Sequence, residues 1–347
     1  MNYIKDKNIL LLCYNFFGYD KMLMDELYKL GAKNVYLKTA AYFASSPRDD
    51  MFWKPIYKSV YLYLKDPYAR TKWTILFQNE ISDLKFDVFL VIENTSFKKS
   101  FMNFLRERNP GIKTIWFLWD TFKIQQKFHK DYIRLFDKVY TFDRDDASKY
   151  GLIYYPNFYV EPKGNPNKVY DICFVGSANS SVTSFRIEVI EKIRKQCEAL
   201  GLRTYFYVKV EQRAKSKNIL KRIYRYFLPC RYDKMIKKYS SIGYLHTNGI
   251  NLNEFNSIIR DSSVIIDLSY PDRQGMTINA IAAIASGKKL VTTNHRIKQE
   301  PFFHPNNILV IDQVNPRIDV DFIKLPIIPI DMNYLRMENW LQHIINN

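Results

Sequence analysis

Apolar residues in this chain gather into short runs separated by stretches of helical periodicity, and the alternation recurs along most of its length. Ile9 to Tyr14 is such a run and predicts a buried strand. Asn15-Phe-Phe-Gly18 then turns the chain into an amphipathic helix over Tyr19 to Leu30, with Met22, Leu23, Leu27 and Leu30 on its inner face and Gly31 ending it. Val35 to Leu37, Val88 to Ile92, Thr114 to Trp119 and Asp137 to Phe142 read as further strands, and Phe97 to Arg108 as a helix. Residues 42–82 are an aromatic-rich, mostly helical insertion. Strands alternating with helices predict a parallel sheet covered on both faces. Ligands bind such sheets beyond the carboxyl ends of the strands, which directs attention to Asn15, Glu93, Asp120 and Asp143.

Residues 159–168, with VEPKGNPNK at their centre, hold two prolines and a glycine without hydrophobic periodicity and read as an interdomain linker. Beyond it the pattern restarts. Tyr170 to Val175 is a strand leading into Gly176-Ser177-Ala178-Asn179, and Ser184 caps a helix reaching about Leu200. Thr204 to Val210 is a strand, Glu254 to Asp261 a helix, Ile308 to Ile311 a strand, and Asn333 to Ile345 a final helix. The expected architecture is α/β: two Rossmann-like domains, 1–158 and 169–330, facing a cleft, with 331–347 crossing back to the first.

The segment Ser263 to Asn294 is the most informative. Val264 to Leu268 is a buried strand, Ser269 to Gln274 a loop, and Gly275 opens a turn into a helix with Thr277 as N-cap and Ile278, Ile281, Ala282 and Ala285 on one face. Ser286-Gly287 closes the helix, and Lys288 to Thr293 is a second parallel strand. The loop of this βαβ unit presents backbone N–H groups at a helix N-terminus, a natural place for phosphate. The alternative is an ordinary βαβ unit in which Gly275 serves only the turn.

Charge sharpens the picture. Fifty-two Lys and Arg against 35 Asp and Glu give a net charge of +17, which favours an acidic partner. Eleven basic residues fall between Lys209 and Lys238, interleaved with aromatic and aliphatic ones. Lys217, Lys221, Arg222 and Arg225 would rim one helix able to lie on an anionic membrane surface, unless it is a solvated face of a core helix. No nucleic-acid-binding motif is visible, so nucleic acid is not expected as a partner. The four cysteines are widely spaced, as for reduced thiols in the cytosol. No apolar run reaches the length of a membrane span.

Several stretches together resemble a known family: Phe17-Gly-Tyr19, WFLWDT ending at Thr121, FDKVYTFDRDDASKYG from Phe136, YDICFVGS from Tyr170, and QGMTINAIAAIASGKKLVTTN. In order and spacing they are similar to GT-B glycosyltransferases of bacterial capsule and lipopolysaccharide biosynthesis. The resemblance implies a nucleotide-sugar donor in the second domain, a lipid-linked or oligosaccharide acceptor in the first, and a cytoplasmic protein peripheral to the inner membrane. Where the family usually carries a donor-ribose Glu and, one turn earlier, an Arg, this chain has Ala282 and Asn279.

Residue chemistry gives candidate roles. A departing diphosphate needs fixed hydrogen-bond donors, which points to Gly176, Ser177, Asn179 and Arg186 at one helix entry and Tyr270, Arg273, Gly275, Met276 and Thr277 at the other. Lys288 is a further cation, or a cap on a helix end. His246 and Asn248 are expected near the donor base. The acceptor hydroxyl needs a base: Asp120 first, unless it is a helix cap, then Asp143 or Glu93. Asp145 and Asp146 read as first-turn helix acids. Neither metal nor cofactor is expected. Two alternatives accompany the glycosyltransferase: a polyol-phosphate transferase on the same fold, and a non-catalytic binding module, which Ala282 favours.

Overall fold

The computed structural model describes residues 3–15, 18–39, 68–93, 95, 97–121, 130–161, 167–178, 183–210, 231–239, 241, 243–269 and 275–347. They form two compact units, 1–156 with 337–347, and 157–336. The chain therefore crosses between units at Pro156–Asn157 and again at Arg336–Met337.

The first unit contains β1 (Asn8–Cys13), α1 (Tyr19–Lys29), β2 (Asn34–Thr39), a helix α2 over 68–80, β3 (Val88–Ile92), α3 (Ser100–Arg108), β4 (Lys113–Leu118), β5 (Lys138–Thr141), α4 (Arg144–Tyr150) and β6 (Ile153–Tyr154). Its six strands are all parallel and ordered β2-β1-β3-β4-β5-β6. Both faces are covered, so β3 is buried at every position. The core on one face is aromatic: Phe77 stacks on Phe101 at 4.8 Å, and Phe89, Phe97, Trp116 and Phe136 pack around them. In α1 the buried positions are Tyr19, Asp20, Leu23 and Leu27, while Met22 and Leu30 are half-buried. The helix is rolled from its expected face, and its first turn points inward. The last helix of the chain, α10 (Met337–Asn346), belongs to this unit. It is anchored by Trp340, whose ring meets Phe117 edge-on at 4.6 Å and whose Nε1 donates to Pro156 O at 2.9 Å. An anchor of this size is worth about 3–5 kcal/mol relative to alanine.

The second unit runs β7 (Tyr170–Ser177), α5 (Phe185–Ala199), β8 (Thr204–Lys209), α6 (Arg231–Tyr239), β9 (Leu245–His246), α7 (Leu252–Arg260), β10 (Ser262–Asp267), α8 (Ile278–Ala285), β11 (Lys289–Thr292), β12 (Ile308–Val310) and α9 (Val320–Lys324). Its parallel sheet has the order β12-β11-β10-β7-β8-β9. Here the core is aliphatic, built on Ile172, Ile187, Ile190, Ile193, Val208, Val264 and Ile266. Ser184 precedes α5, but its hydroxyl does not cap it. Helix α8 is buried at five consecutive positions, Ala280 to Ile284, because its small side chains let it sink against β10 and β11. The single apolar stripe expected for it underestimates that burial.

The proposed membrane residues Lys217, Lys221, Arg222 and Arg225 lie outside the described residues. Among the described residues no helix is long and apolar enough to cross a membrane. Cys13, Cys173 and Cys197 are buried free thiols, and burial pushes the Cys197 thiol up to about 11.

Candidate functional site

In an open α/β sheet the crevice opens where the strand order reverses, because the helices flanking that point leave in opposite directions. The second sheet reverses between β7 and β10. Arg186, from the first turn of α5, spans that point. Its Nη1 donates to Ser177 O at 2.9 Å, and its Nε and Nη2 donate to Leu268 O at 3.0 and 2.7 Å. The guanidinium is thus a strut between the carboxyl ends of the two strands, and it brings a positive charge to the crevice. Gly176 is needed here for packing, since a Cβ would come within 2.6 Å of the Phe174 ring.

On the β10 side, Asp267 ends the strand as a buried carboxylate. Thr277 Oγ1 donates to Asp267 Oδ1 at 2.9 Å and Ser269 Oγ to Oδ2 at 3.1 Å. Burial raises the Asp267 pKa, against the lowering pull of Thr277, Arg186 and Ser269. Thr277 is the N-cap of α8, and its hydroxyl also accepts from Ala280 N at 3.1 Å. Within the described residues no hydrogen bond uses the N–H groups of Thr277, Ile278 or Asn279. These amides sit where the helix dipole is positive and can hold an anion.

Two asparagines secure the backbone just before the cap. Asn157 Nδ2 donates to Met276 O at 2.9 Å. Asn294 Nδ2 lies 3.5 Å from Gly275 O and 3.6 Å from Met276 Sδ. Neither residue stood out in the sequence, because both lie far from the loop they hold; nor did Asp267, an acid inside an apolar strand. Lys288 donates to Arg260 O at 2.6 Å and caps the end of α7. Its pKa is lowered by burial. Ala282 is buried, with 8% exposure, and Asn279 is half-buried.

At the far end of the same sheet the His246 ring stacks on Tyr207 at 4.0 Å and 5°. Tyr207 Oη donates to the carbonyl of Asn248, an exposed residue, and so holds the loop that follows β9. Asn179, Tyr270 and Arg273 lie outside the described residues.

The first sheet reverses between β1 and β3. Glu93 follows β3 with φ 80, unusual for a residue with a side chain. Its Oε2 accepts from Trp119 N and Asp120 N, both at 2.8 Å, so this carboxylate holds the turn that follows β4. Asp120 is half-buried on that turn. Asp143 stands apart from this pair: it is the N-cap of α4, and its Oδ1 accepts from Asp145 N and Asp146 N at 3.0 and 3.1 Å. Asp145 and Asp146 are first-turn acids of that helix. Two residues not singled out from the sequence, Asp20 and Thr121, are buried in this unit, and Asp20 Oδ1 and Thr121 Oγ1 form no hydrogen bond among the described residues.

The chain carries two Asp-x-Asp spacings, a pattern that can bind a metal ion: Asp143-Arg144-Asp145 and Asp319-Val320-Asp321. In each, the first aspartate caps a helix, Asp319 accepting from Asp321 N and Phe322 N. Among the described residues no three His, Cys, Asp or Glu side chains are grouped to hold a metal ion.

No protein-family model matches the chain, and no curated protein sequence does. Solved structures match it in fold. The E. coli trehalose-6-phosphate structure bound with UDP-2-fluoro glucose aligns over 97% of this chain and 94% of its own, with a TM-score of 0.53 and 12% identity. OtsA in its apo form aligns over the same shares with a TM-score of 0.54 and 10% identity. The UDP-GlcNAc 2-epimerase of Neisseria meningitidis bound to UDP-GlcNAc aligns over 89% of each chain, with a TM-score of 0.50 and 10% identity. Two parallel six-stranded sheets and these matches give the chain two Rossmann-like domains of the GT-B fold.

Proposed function

We propose that this protein is a nucleotide-sugar-dependent glycosyltransferase that extends a bacterial surface glycan, either lipopolysaccharide or capsule. The observation that carries the reading is the Thr277-capped N-terminus of α8, whose first amides have no partner among the described residues, at the point where the second sheet reverses its order. A sugar nucleotide breaking its glycosidic bond leaves growing negative charge on its diphosphate. Fixed amides at a helix N-terminus stabilise that charge without reorganising. Structural neighbours bound to UDP-2-fluoro glucose and to UDP-GlcNAc support a nucleotide sugar as the class of donor.

In this reading the N–H groups of Thr277, Ile278 and Asn279 hold the diphosphate, with Gly275 and Met276 forming the turn before them, Arg186 and the Gly176–Ser177 turn border it, and His246 and Asn248 flank the base. Asp120 takes the acceptor proton, and Glu93 fixes the turn that carries it. The chemistry uses no metal. The net charge of +17 supports work at the anionic inner surface of the cytoplasmic membrane, on a lipid-linked or oligosaccharide acceptor. A second reading, a non-catalytic module on the same fold, is favoured by Ala282, which has no group to hold a ribose.

Thermal stabilisation by a panel of UDP-, GDP-, ADP- and CDP-sugars, set beside CDP-activated polyols, tests the proposal. Stabilisation and sugar transfer with one of the nucleotide sugars is the expected result. Stabilisation by a CDP-polyol alone identifies a polyol-phosphate transferase, and binding without turnover identifies the non-catalytic module.

A further inference from the structure

We propose that Asn157 is a positioning residue of the donor site: its carboxamide sets the Met276–Thr277 peptide so that the Thr277 N–H faces the bound diphosphate. The proposal rests on the donor-site reading given above. Asn157 is the first residue of the second unit, 119 positions ahead of Met276 in sequence, and is 3% exposed. Its Nδ2 donates to Met276 O at 2.9 Å.

A trans peptide is planar, with its C=O and N–H pointing in opposite directions, and the described residues contain no cis bond. Holding the Met276 carbonyl toward Asn157 therefore turns the Thr277 N–H away from Asn157. That N–H forms no hydrogen bond among the described residues. The other polar groups of Thr277 are committed: its hydroxyl joins Ala280 N to Asp267 Oδ1, and its carbonyl accepts from Ile281 N. The Thr277 peptide is thus fixed from both sides, and among the described residues its N–H is the polar group left available.

The other half of the same carboxamide argues that stability alone does not explain the residue. Asn157 Oδ1 is buried and has no hydrogen-bond partner in the described residues. The bond from Nδ2 fixes which way the amide faces, so the oxygen cannot exchange places with the nitrogen. A buried acceptor left unsatisfied opposes folding; an apolar side chain of similar shape would remove that penalty at Asn157 while leaving Met276 O without this donor, so the exchange is close to even in stability. A half-satisfied amide belongs where the direction of one hydrogen bond matters more than its contribution to stability.

The test compares the full chain with its Asn157→Leu and Asn157→Asp variants, by thermal melting and by titration with UDP, CDP, ADP and GDP at several pH values. The Leu variant is expected to melt within a few degrees of wild type or above it. It should bind the preferred nucleoside diphosphate about tenfold more weakly, at every pH. The Asp variant regains a donor to Met276 O only when protonated, so its affinity should rise above that of the Leu variant and approach wild type as pH falls. Affinity of the Leu variant within twofold of wild type overturns the proposal. So does an affinity loss that tracks a large fall in melting temperature, because that is mere structural damage. So does an Asp variant that never exceeds the Leu variant. Wild type that binds none of the four removes the donor-site reading and this proposal with it, whereas binding unaffected by Asn157 removes this proposal alone.

Discussion

The two sheets both reverse their strand order once, yet they furnish the reversal with opposite chemistry. In the second, the strand ends are joined by a guanidinium and followed by a helix whose first amides have no hydrogen-bond partner among the described residues. Its one acid among the described residues, Asp267, is buried behind the hydroxyls of Thr277 and Ser269. In the first, the reversal point carries carboxylates: Glu93 accepts two amides from the turn that bears Asp120, and Asp20 is buried with an oxygen that has no partner among the described residues. Donors and positive potential suit an anion, and acceptors suit a hydroxyl that gives up a proton. One fold repeated in one chain therefore supports two roles, and the difference lies in the residues just beyond the strand ends.

The largest effect that can break this contrast is expected at Gly275. Gly275 is buried and its carbonyl faces Asn294. Gly275→Val should lower nucleotide affinity by about 100-fold or more while the circular dichroism spectrum and melting cooperativity persist; a folded variant with unchanged affinity would take the phosphate away from this loop. Next comes Asp120→Asn, which keeps size and polarity but cannot take a proton. Its turnover should fall about 100-fold with nucleotide affinity nearly unchanged, as measured by initial rates and titration. Near-normal turnover would pass the role of base to another acid of the first unit.

Glu93→Gln should cost less, about three- to tenfold in turnover, because a neutral oxygen still accepts from the turn but without charge assistance. A loss equal to that of Asp120→Asn would make Glu93 the base itself.

The smallest effect concerns pH. Burial raises the Asp267 pKa above its unfolded value, so the folded state binds the proton more tightly. Its contribution to stability is then fully present below the unfolded pKa, near 4, and is lost as pH rises through the raised folded value. Asp267→Asn should flatten that part of the stability–pH curve, followed by melting in buffers from acid to neutral. An unchanged curve would mean that Asp267 titrates as an ordinary carboxylate.

How much of this was legible from the chain varies with distance along it. Most strands and the Thr277 cap are local, and apolar runs with a Thr before a helical pattern announce them; alternation with helices implies that the strands run parallel, but their order in the sheet is not a local property. The Asn157–Met276 bond joins residues 119 apart, which no local pattern can signal. Asp143 was expected among the candidate bases and is a helix cap, a role its position ahead of Asp145 and Asp146 also allowed. Arg186, read as a phosphate ligand, is seen bridging two strand ends, since only the folded sheet brings Ser177 and Leu268 within reach of one side chain. The inward roll of α1, which buries Asp20, follows from tertiary packing against the sheet and runs against the polarity of that residue.

A structure of the full chain with its preferred nucleoside diphosphate bound tests the central claim most directly. The diphosphate is expected against the N–H groups of Thr277, Ile278 and Asn279, beside the β7–β10 reversal. A diphosphate bound instead at the β1–β3 reversal, among Glu93 and Asp120, would contradict it.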